Sequence, residues 1–394
     1  MIAVYLAPVY ILVNVYILWR LFRWLGTISD KLKNKKVRIP ITLIYTFFAT
    51  SMLTGFLSPK GNSERILKLI GNYWLGIFLY TVLVAIVEEI IFLILRRTKK
   101  DSRKKKIVFG AAGLAAIASI SLWGMINART IRTTEYHVAV DKKVEGMTSL
   151  KVALVADLHM GYNIGCSQMK QMVEKINALN PDVVVIAGDI FDNEYDALED
   201  PEKLIEILQG IESKYGTYAC YGNHDIAEKI LAGFTFGGQT DEKVSDPRMD
   251  SFLEKAGITL LRDEYVMIED QIYLYGRPDA ERPGRGIRER KTAEEITENL
   301  DLTKPVIVID HEPRELQELA DAGVDVDLCG HTHDGQLFPG NITTGFMWEN
   351  SFGYLKKDDM HNIVTSGVGI FGPFMRVGTI AEVVSVEIKL GQVP

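Results

Sequence analysis

The sequence predicts an α/β domain behind an all-α, membrane-spanning N-terminal region. Three observations predict it. Four long apolar runs lie within residues 1–127. From about Thr133 onward, short apolar strands alternate with amphipathic helical patterns. Five of the seven histidines then fall beside carboxylates in short motifs, leaving only His137 and His361 outside. The charge divides along the same line. Residues 1–127 hold 18 Lys+Arg against 5 Asp+Glu, and the remainder holds 26 against 46. Such asymmetry assigns the two regions to different surroundings.

The four runs are read as helices over 2–19, 39–57, 69–95 and 107–126. Ile2–Trp19 is apolar apart from Asn14, and Ile39–Leu57 and Leu69–Val87 carry no charge. A span needs roughly 20 apolar residues, so each run is long enough. Four buried helices of a soluble protein fit less well, because the runs are apolar all round and bounded by basic clusters. No Lys or Arg precedes Arg20, so the first run does not read as a cleaved signal peptide. Seven basic residues lie in Arg20–Arg38 and eight in Arg96–Lys106. The loop between the second and third runs offers mainly Lys60 and Arg65. Positive-inside reasoning places the two heavy loops in the cytoplasm of a cell-membrane protein. The N-terminus and everything after the fourth span then lie outside the cytoplasm. Glu88 and Glu89 invite an ion-path reading. Pairing with Arg96, Arg97 or nearby lysines is preferred. Ala111, Ala115 and Ser119 make a small-residue stripe that would permit close helix contact.

The second region, 128–394, is read as one α/β domain. Lys151–Ala156 is a strand that stops at Asp157-Leu-His159. Ser167–Leu179 is a helix with Met169, Met172, Val173, Ile176 and Leu179 on one face and Ser167 as N-cap. Asp182–Ala187 is a continuous apolar strand, and Asp200-Pro201 opens a second helix. Thr217–Tyr221 is the third strand. This strand–helix repeat predicts a parallel sheet whose strand ends bring the motifs to one edge. Ala232–Pro247 reads as a loop. Ile258–Leu261, Gln271–Tyr275, Pro305–Asp310, Val324–Cys329, Ile363–Ser366 and Glu382–Ile388 read as strands, and Pro313 as a helix start. Arg277–Arg290 carries five arginines among turn residues. A phosphate clamp is conceivable there, but a solvated loop is preferred. The three cysteines, Cys166, Cys220 and Cys329, do not form a disulfide framework and read as free thiols.

The motifs are Asp157-x-His159, Gly188-Asp189-x-x-Asp192, Gly222-Asn223-His224-Asp225, His311 and Gly330-His331-x-His333. Their donors are oxygen and nitrogen only, a set that suits Mn, Fe or Zn. A carboxylate can bridge two ions, and paired ions bind both the attacking and the leaving oxygen of an in-line displacement. Gly188, Gly222 and Gly330 allow the backbone to approach where a side chain would block.

These five blocks, in this order over residues 151–333, resemble the calcineurin-like metallophosphoesterase superfamily. The tail resembles its bacterial, membrane-attached phosphodiesterase branch through Ser366-Gly367-Val-Gly369, Gly372-Pro373 and Arg376-Val-Gly378. Asp334 departs from that pattern by standing where a glycine is usual. The resemblance implies a four-layer α/β/β/α sandwich of two mixed sheets. It implies two divalent ions, one held by Asp157, His159, Asp189 and His333, the other by Asp189, Asn223, His311 and His331. Asp189 would bridge. His224 would contact phosphate together with Asn223 and protonate the leaving oxygen, with Asp225 orienting it, and Arg376 is a further substrate-binding candidate.

The reading is a membrane-anchored phosphoesterase that uses an activated hydroxide, most plausibly on a phosphodiester of a lipid or lipid-linked substrate, with the bilayer as its partner. A membrane sensor or transporter with a vestigial phosphoesterase domain would lack ligands, and none is missing. A phosphoprotein phosphatase would carry Asp-Arg-Gly after the second block, whereas Asp192 precedes Asn193-Glu194 here. No nucleic-acid partner is expected, because the acidic second region would repel a polyanion.

Overall fold

The computed structural model describes residues 2–97, 102–228, 230–231, 234–235 and 244–391. They form two compact units. The first holds helices α1 (Ile2–Ile28), α2 (Lys35–Leu57), α3 (Asn62–Arg97) and α4 (Arg103–Ala128) up to Ile126. All four are long and apolar enough to cross a membrane, and each runs past its predicted apolar core into flanking polar residues.

Within this unit, α2 and α3 pack through glycine. A Cβ on Gly71 would lie 2.8 Å from Met52 Cα, and one on Gly55 would lie 2.9 Å from the Lys68 nitrogen. Two sequence expectations need correction here. Ala111, Ala115 and Ser119 face outward. Gly110 and Gly113 take the close contacts instead, against Trp24 and Glu88. Glu88 and Glu89 pair with Arg20. Packing brings α1 and α3 together at that depth, which linear distance to Arg96 and Arg97 could not reveal.

The second unit is α/β. In chain order it contains β1 (Ile131–Val140), β2 (Ser149–Val155), α5 (Cys166–Ala178), β3 (Val183–Ala187), α6 (Pro201–Leu208) and β4 (Thr217–Cys220). A two-strand hairpin, β5 (Ile230–Leu231) and β6 (Phe234–Thr235), belongs to the helical unit. There follow α7 (Pro247–Lys255), β7 (Ile258–Leu260), β8 (Glu264–Ile268), β9 (Ile272–Gly276), α8 (Ala293–Thr297), β10 (Val306–Ile309) and α9 (Leu316–Asp321). The chain ends with β11 (Val326–Cys329), α10 (Gly340–Met347), β12 (Gly353–Lys357), β13 (Met360–Val364) and β14 (Ala381–Leu390).

Two six-stranded mixed sheets result, ordered β1-β14-β2-β3-β4-β7 and β12-β13-β11-β10-β9-β8. β2, β3, β4 and β7 are mutually parallel, as are β13, β11, β10 and β9. Parallel strands buried on both faces must be apolar throughout, and β3 reads VVVIA with every residue buried. Val152, Leu154 and Val185 of the first sheet share one core with Leu274, Ile307 and Leu328 of the second. Val306, Val308 and Leu319 build a separate layer under α8 and α9. Met169, Met172 and Leu204 are buried on α5 and α6. This is the expected four-layer sandwich.

Local details differ from the sequence reading. Ser167 lies inside α5. The N-cap is Gly165, without a side-chain cap, and the Glu199 carboxylate accepts the Cys166 N–H at 2.8 Å. Asp200 does cap α6, accepting from the Lys203 nitrogen at 3.1 Å. The helix expected from Pro313 begins at Leu316. Of the loop expected over 232–247, residues 232–233 and 236–243 lie outside the described residues. The arginine-rich stretch is solvated only in part: Arg288 is exposed, but Arg277 and Arg290 are buried. Arg277 is fully buried and pairs with Asp310 at 2.9 Å and Glu315 at 2.7 Å. Arg290 joins the same two carboxylates. Buried guanidinium groups need several acceptors, and these were hidden in distant segments.

Candidate metal centre

Every predicted donor follows the C-terminal end of a parallel strand. Asp157 and His159 follow β2, Asp189 follows β3, and Asn223 follows β4. His311 follows β10, and His331 and His333 follow β11. The hydrogen bonds of parallel strands align these ends in register.

Aiming the side chains costs backbone strain. Asp157, His159, Asp189, His331 and His333 have φ of 54°, 45°, 49°, 73° and 51°. Non-glycine residues in the left-handed region carry of order 1–3 kcal/mol each. The turns are so tight that a Cβ on Gly188 would sit 2.5 Å from His311 Nδ1. Such strain concentrates where position matters more than stability.

The donors form two groups that share one carboxylate. In the first, His159 Nε2 lies 3.0 Å from His333 Nε2. His333 Nε2 lies 3.5 Å from Asp157 Oδ1, and His159 Nε2 lies 3.6 Å from Asp189 Oδ2. In the second, His311 Nε2 is 3.2 Å from the same Asp189 Oδ2 and 3.1 Å from Asn223 Oδ1. His331 Nδ1 lies 3.0 Å from Asn223 Oδ1 and 3.2 Å from His311 Nε2. The described carboxylates and imidazoles include three groups able to hold an ion: Asp157–His159–His333, Asp157–Asp189–His311 and His159–Asp192–His224.

The protonation pattern fits cations. His311 Nδ1 donates to the Ala187 carbonyl at 2.9 Å. A carbonyl can only accept, so Nδ1 carries a proton and Nε2 is the nitrogen that faces Asp189, the arrangement that orients a metal ligand. Burial lowers His331 to about 3 and holds His333 well below the ordinary range. Both imidazoles are therefore neutral. Burial raises Asp157 to about 6. His159 and His311 are raised despite burial, His311 chiefly by the Asp189 charge. A proton on each stands where a bound cation would otherwise balance Asp189, and metal binding releases such protons.

The groups around the donors were partly missed. Asp192 Oδ1 is 3.7 Å from His159 Nδ1. Glu312 Oε1 is 3.4 Å from His331 Nε2. Phe371 packs 4.5 Å from the His224 ring, and Trp348 packs 5.0 Å from the His331 ring. Adjacency to a motif marked Asp192 and Glu312. No sequence signal marked Phe371 or Trp348.

Two predicted roles are corrected. Asp225 does not orient His224. Its carboxylate accepts the backbone N–H groups of Phe191 at 2.8 Å and Gly222 at 2.7 Å, and burial with nearby Asp189 pushes it up to about 7. Asn193 Oδ1 instead takes the His224 Nδ1–H, while Asn193 Nδ2 donates to the Ile226 carbonyl at 2.9 Å. The contacts of Arg376 do not support the substrate-binding role. It is fully buried and donates to the carbonyls of Ser366 at 2.6 Å, Gly367 at 3.2 Å and Gly369 at 2.7 Å. Arg376→Met should lower stability by roughly 3 kcal/mol or more, since each buried acceptor left unpaired costs about 1–3 kcal/mol. A thermal melt checks this; an unchanged Tm would restore the substrate role.

A cluster of Asp, Asn and His donors at the strand ends of a double-sheet sandwich suits divalent ions and metal-dependent hydrolysis. Residues 150–335 match the calcineurin-like phosphoesterase family, and the chain carries a calcineurin-like metallophosphoesterase domain. It is 28% identical over 292 residues to a "Transmembrane protein with metallophosphoesterase domain" of Danio rerio, covering 70% of this chain and 62% of that one. It is 25% identical over 388 residues to an uncharacterized metallophosphoesterase of Campylobacter jejuni, covering 96% of this chain and 95% of that one. A UDP-2,3-diacylglucosamine pyrophosphatase, LpxG, of Chlamydia trachomatis is 23% identical over 257 residues, covering 57% of this chain and 76% of that one. The chain thus spans less than two thirds of the Danio rerio relative.

Proposed function

We propose that the chain is a membrane-anchored phosphodiesterase with two divalent ions per chain, acting on a lipid or lipid-linked phosphate ester outside the cytoplasm. The observation that carries this reading is the sharing of Asp189 Oδ2 between two donor groups. Asp157, His159, Asp189 and His333 would hold one ion; Asp189, Asn223, His311 and His331 would hold the other. Mn, Fe and Zn all suit these donors. Bound ions of this kind supply Lewis acidity toward phosphoryl oxygens and an activated water.

The remaining chemistry belongs to His224. Asn193 occupies its Nδ1, which leaves Nε2 to serve the leaving oxygen. Burial lowers His224 to about 4, so the resting imidazole is neutral. An anionic phosphodiester beside it favours the charged form.

The lipid assignment has two supports. Two residues, Arg129 and Thr130, join α4 to β1. At roughly 3.6 Å per residue at most, that link keeps the first strand at the bilayer surface. LpxG, by its name, acts on a diacylated glucosamine nucleotide. The test compares a lipid phosphodiester in mixed micelles with its short-chain soluble analogue, with Mn supplied. Preference for the micellar ester is expected, and equal rates would overturn the lipid assignment. For orientation, protease added to intact cells, or to spheroplasts where an outer membrane is present, should remove the α/β domain. Full protection would place it in the cytoplasm.

A further inference from the structure

We propose that α10 and the turn leading into it form a bilayer-seated element that holds the metal centre at the lipid surface. The inference builds on the lipid-substrate reading above, but it is tested separately.

The segment is unlike the rest of its domain. From Gly335 to Trp348 there is no charged residue, although the chain beyond residue 127 is strongly acidic. α10 buries none of its residues. Phe338, Ile342, Phe346 and Met347 are 47%, 50%, 85% and 75% exposed. Ile342 and Phe346 are four apart, so they share one helical face, and Met347 adjoins it. A solvated surface helix of this length would ordinarily place charges there. An uncharged helix with an outward aromatic and aliphatic face suits the acyl boundary of a membrane.

Its position points to the same occupant. Asn127, in the last turn of α4, donates to the carbonyls of Arg376 at 3.0 Å and Thr379 at 2.8 Å. Val377 lies between those two residues, and its carbonyl accepts the Phe338 N–H at 2.8 Å. The entry to α10 is therefore one backbone hydrogen bond from the 376–379 segment that accepts from Asn127. At its other end α10 runs into Trp348, whose ring packs on His331. Gly335 and Gly340 pack backbone to backbone, tying the helix start to the His331–His333 turn. α10 thus leads from that segment to Trp348, beside the predicted ligand His331. A lipid ester entering along α10 would reach the cluster without leaving the apolar phase.

The experiment uses the full chain in phosphatidylglycerol–phosphatidylcholine nanodiscs. Phe346→Cys carries a spin label in a Cys166→Ser background, Cys220 and Cys329 being buried. Collisions with oxygen exceeding those with a water-soluble nickel chelate are the expected result. Chelate-dominated collisions, or shielding from both as in a protein–protein contact, would overturn the proposal. In a second arm, Phe346→Ser with Met347→Ser should cut the ratio of micellar to soluble diester rates on the order of tenfold, as buried apolar area is lost. Where wild type prefers the micellar diester, an unchanged ratio in the variant would overturn it too. If the label is oxygen-exposed while wild type shows no micellar preference, the helix is seated as proposed and the lipid-substrate reading alone fails.

Discussion

Asp189→Asn is expected to fold, to lose metal, and to lose nearly all hydrolysis of bis(p-nitrophenyl) phosphate. The aspartate is buried, and its Oδ2 faces both donor groups. Its other oxygen accepts the His224 N–H at 2.7 Å. The amide keeps the volume, and its carbonyl can still take that hydrogen bond. What it removes is the negative charge that balances His159 and His311. The loss should exceed the about 10–100-fold typical when a partner outside the coordination sphere is changed. Elemental analysis should find two ions in well-metallated wild type and fewer in the variant. One ion in wild type would reject the dinuclear proposal. A variant that keeps both ions and full activity would remove Asp189 from the centre. His137→Ala and His361→Ala serve as controls. His137 is exposed and pairs with Glu387, and His361 bonds Tyr354 and the Ala139 carbonyl.

His224→Ala should discriminate between leaving groups. A p-nitrophenolate departs without a proton, whereas an alkoxide does not. General acid catalysis contributes typically about 10²–10⁴-fold. An alkyl phosphodiester should therefore slow by that order, the nitrophenyl diester far less, and metal content should stay at the wild-type value. Asn193→Ala should reproduce the pattern in weaker form, because it frees the His224 ring to turn. Asp225→Asn tests the corrected assignment. Its carboxylate braces backbone rather than imidazole, so its effect should appear in the melting temperature, with the two esters slowed equally. Equal slowing of both esters in His224→Ala would reject the acid role.

Much of the centre was legible because its chemistry is written in residue type and its placement in strand ends. The apolar runs of β2, β3, β10 and β11 stop within two residues of their motifs, and parallel pairing forces those stops together. The edge strands β8 and β12 and the helices α7, α8 and α10 were not predicted. Exposed edges alternate weakly, and short helices carry little periodicity. The buried Arg277–Asp310–Glu315–Arg290 network was misread as a solvated loop, since its acids come from another strand end and a left-handed turn at Glu315.

What the sequence alone determined is the set of donors, the alternation that builds the two sheets, and four helices able to cross a membrane. These are local properties, carried by composition and period. What only the tertiary structure decided is who stands beside whom. Asn193 rather than Asp225 holds His224, Arg20 rather than Arg96 answers Glu88, and Arg376 is spent on backbone carbonyls. Each of those pairings joins residues whose separation along the chain carries no information about distance. They are settled by which buried polar groups must find a partner once the sheets have closed.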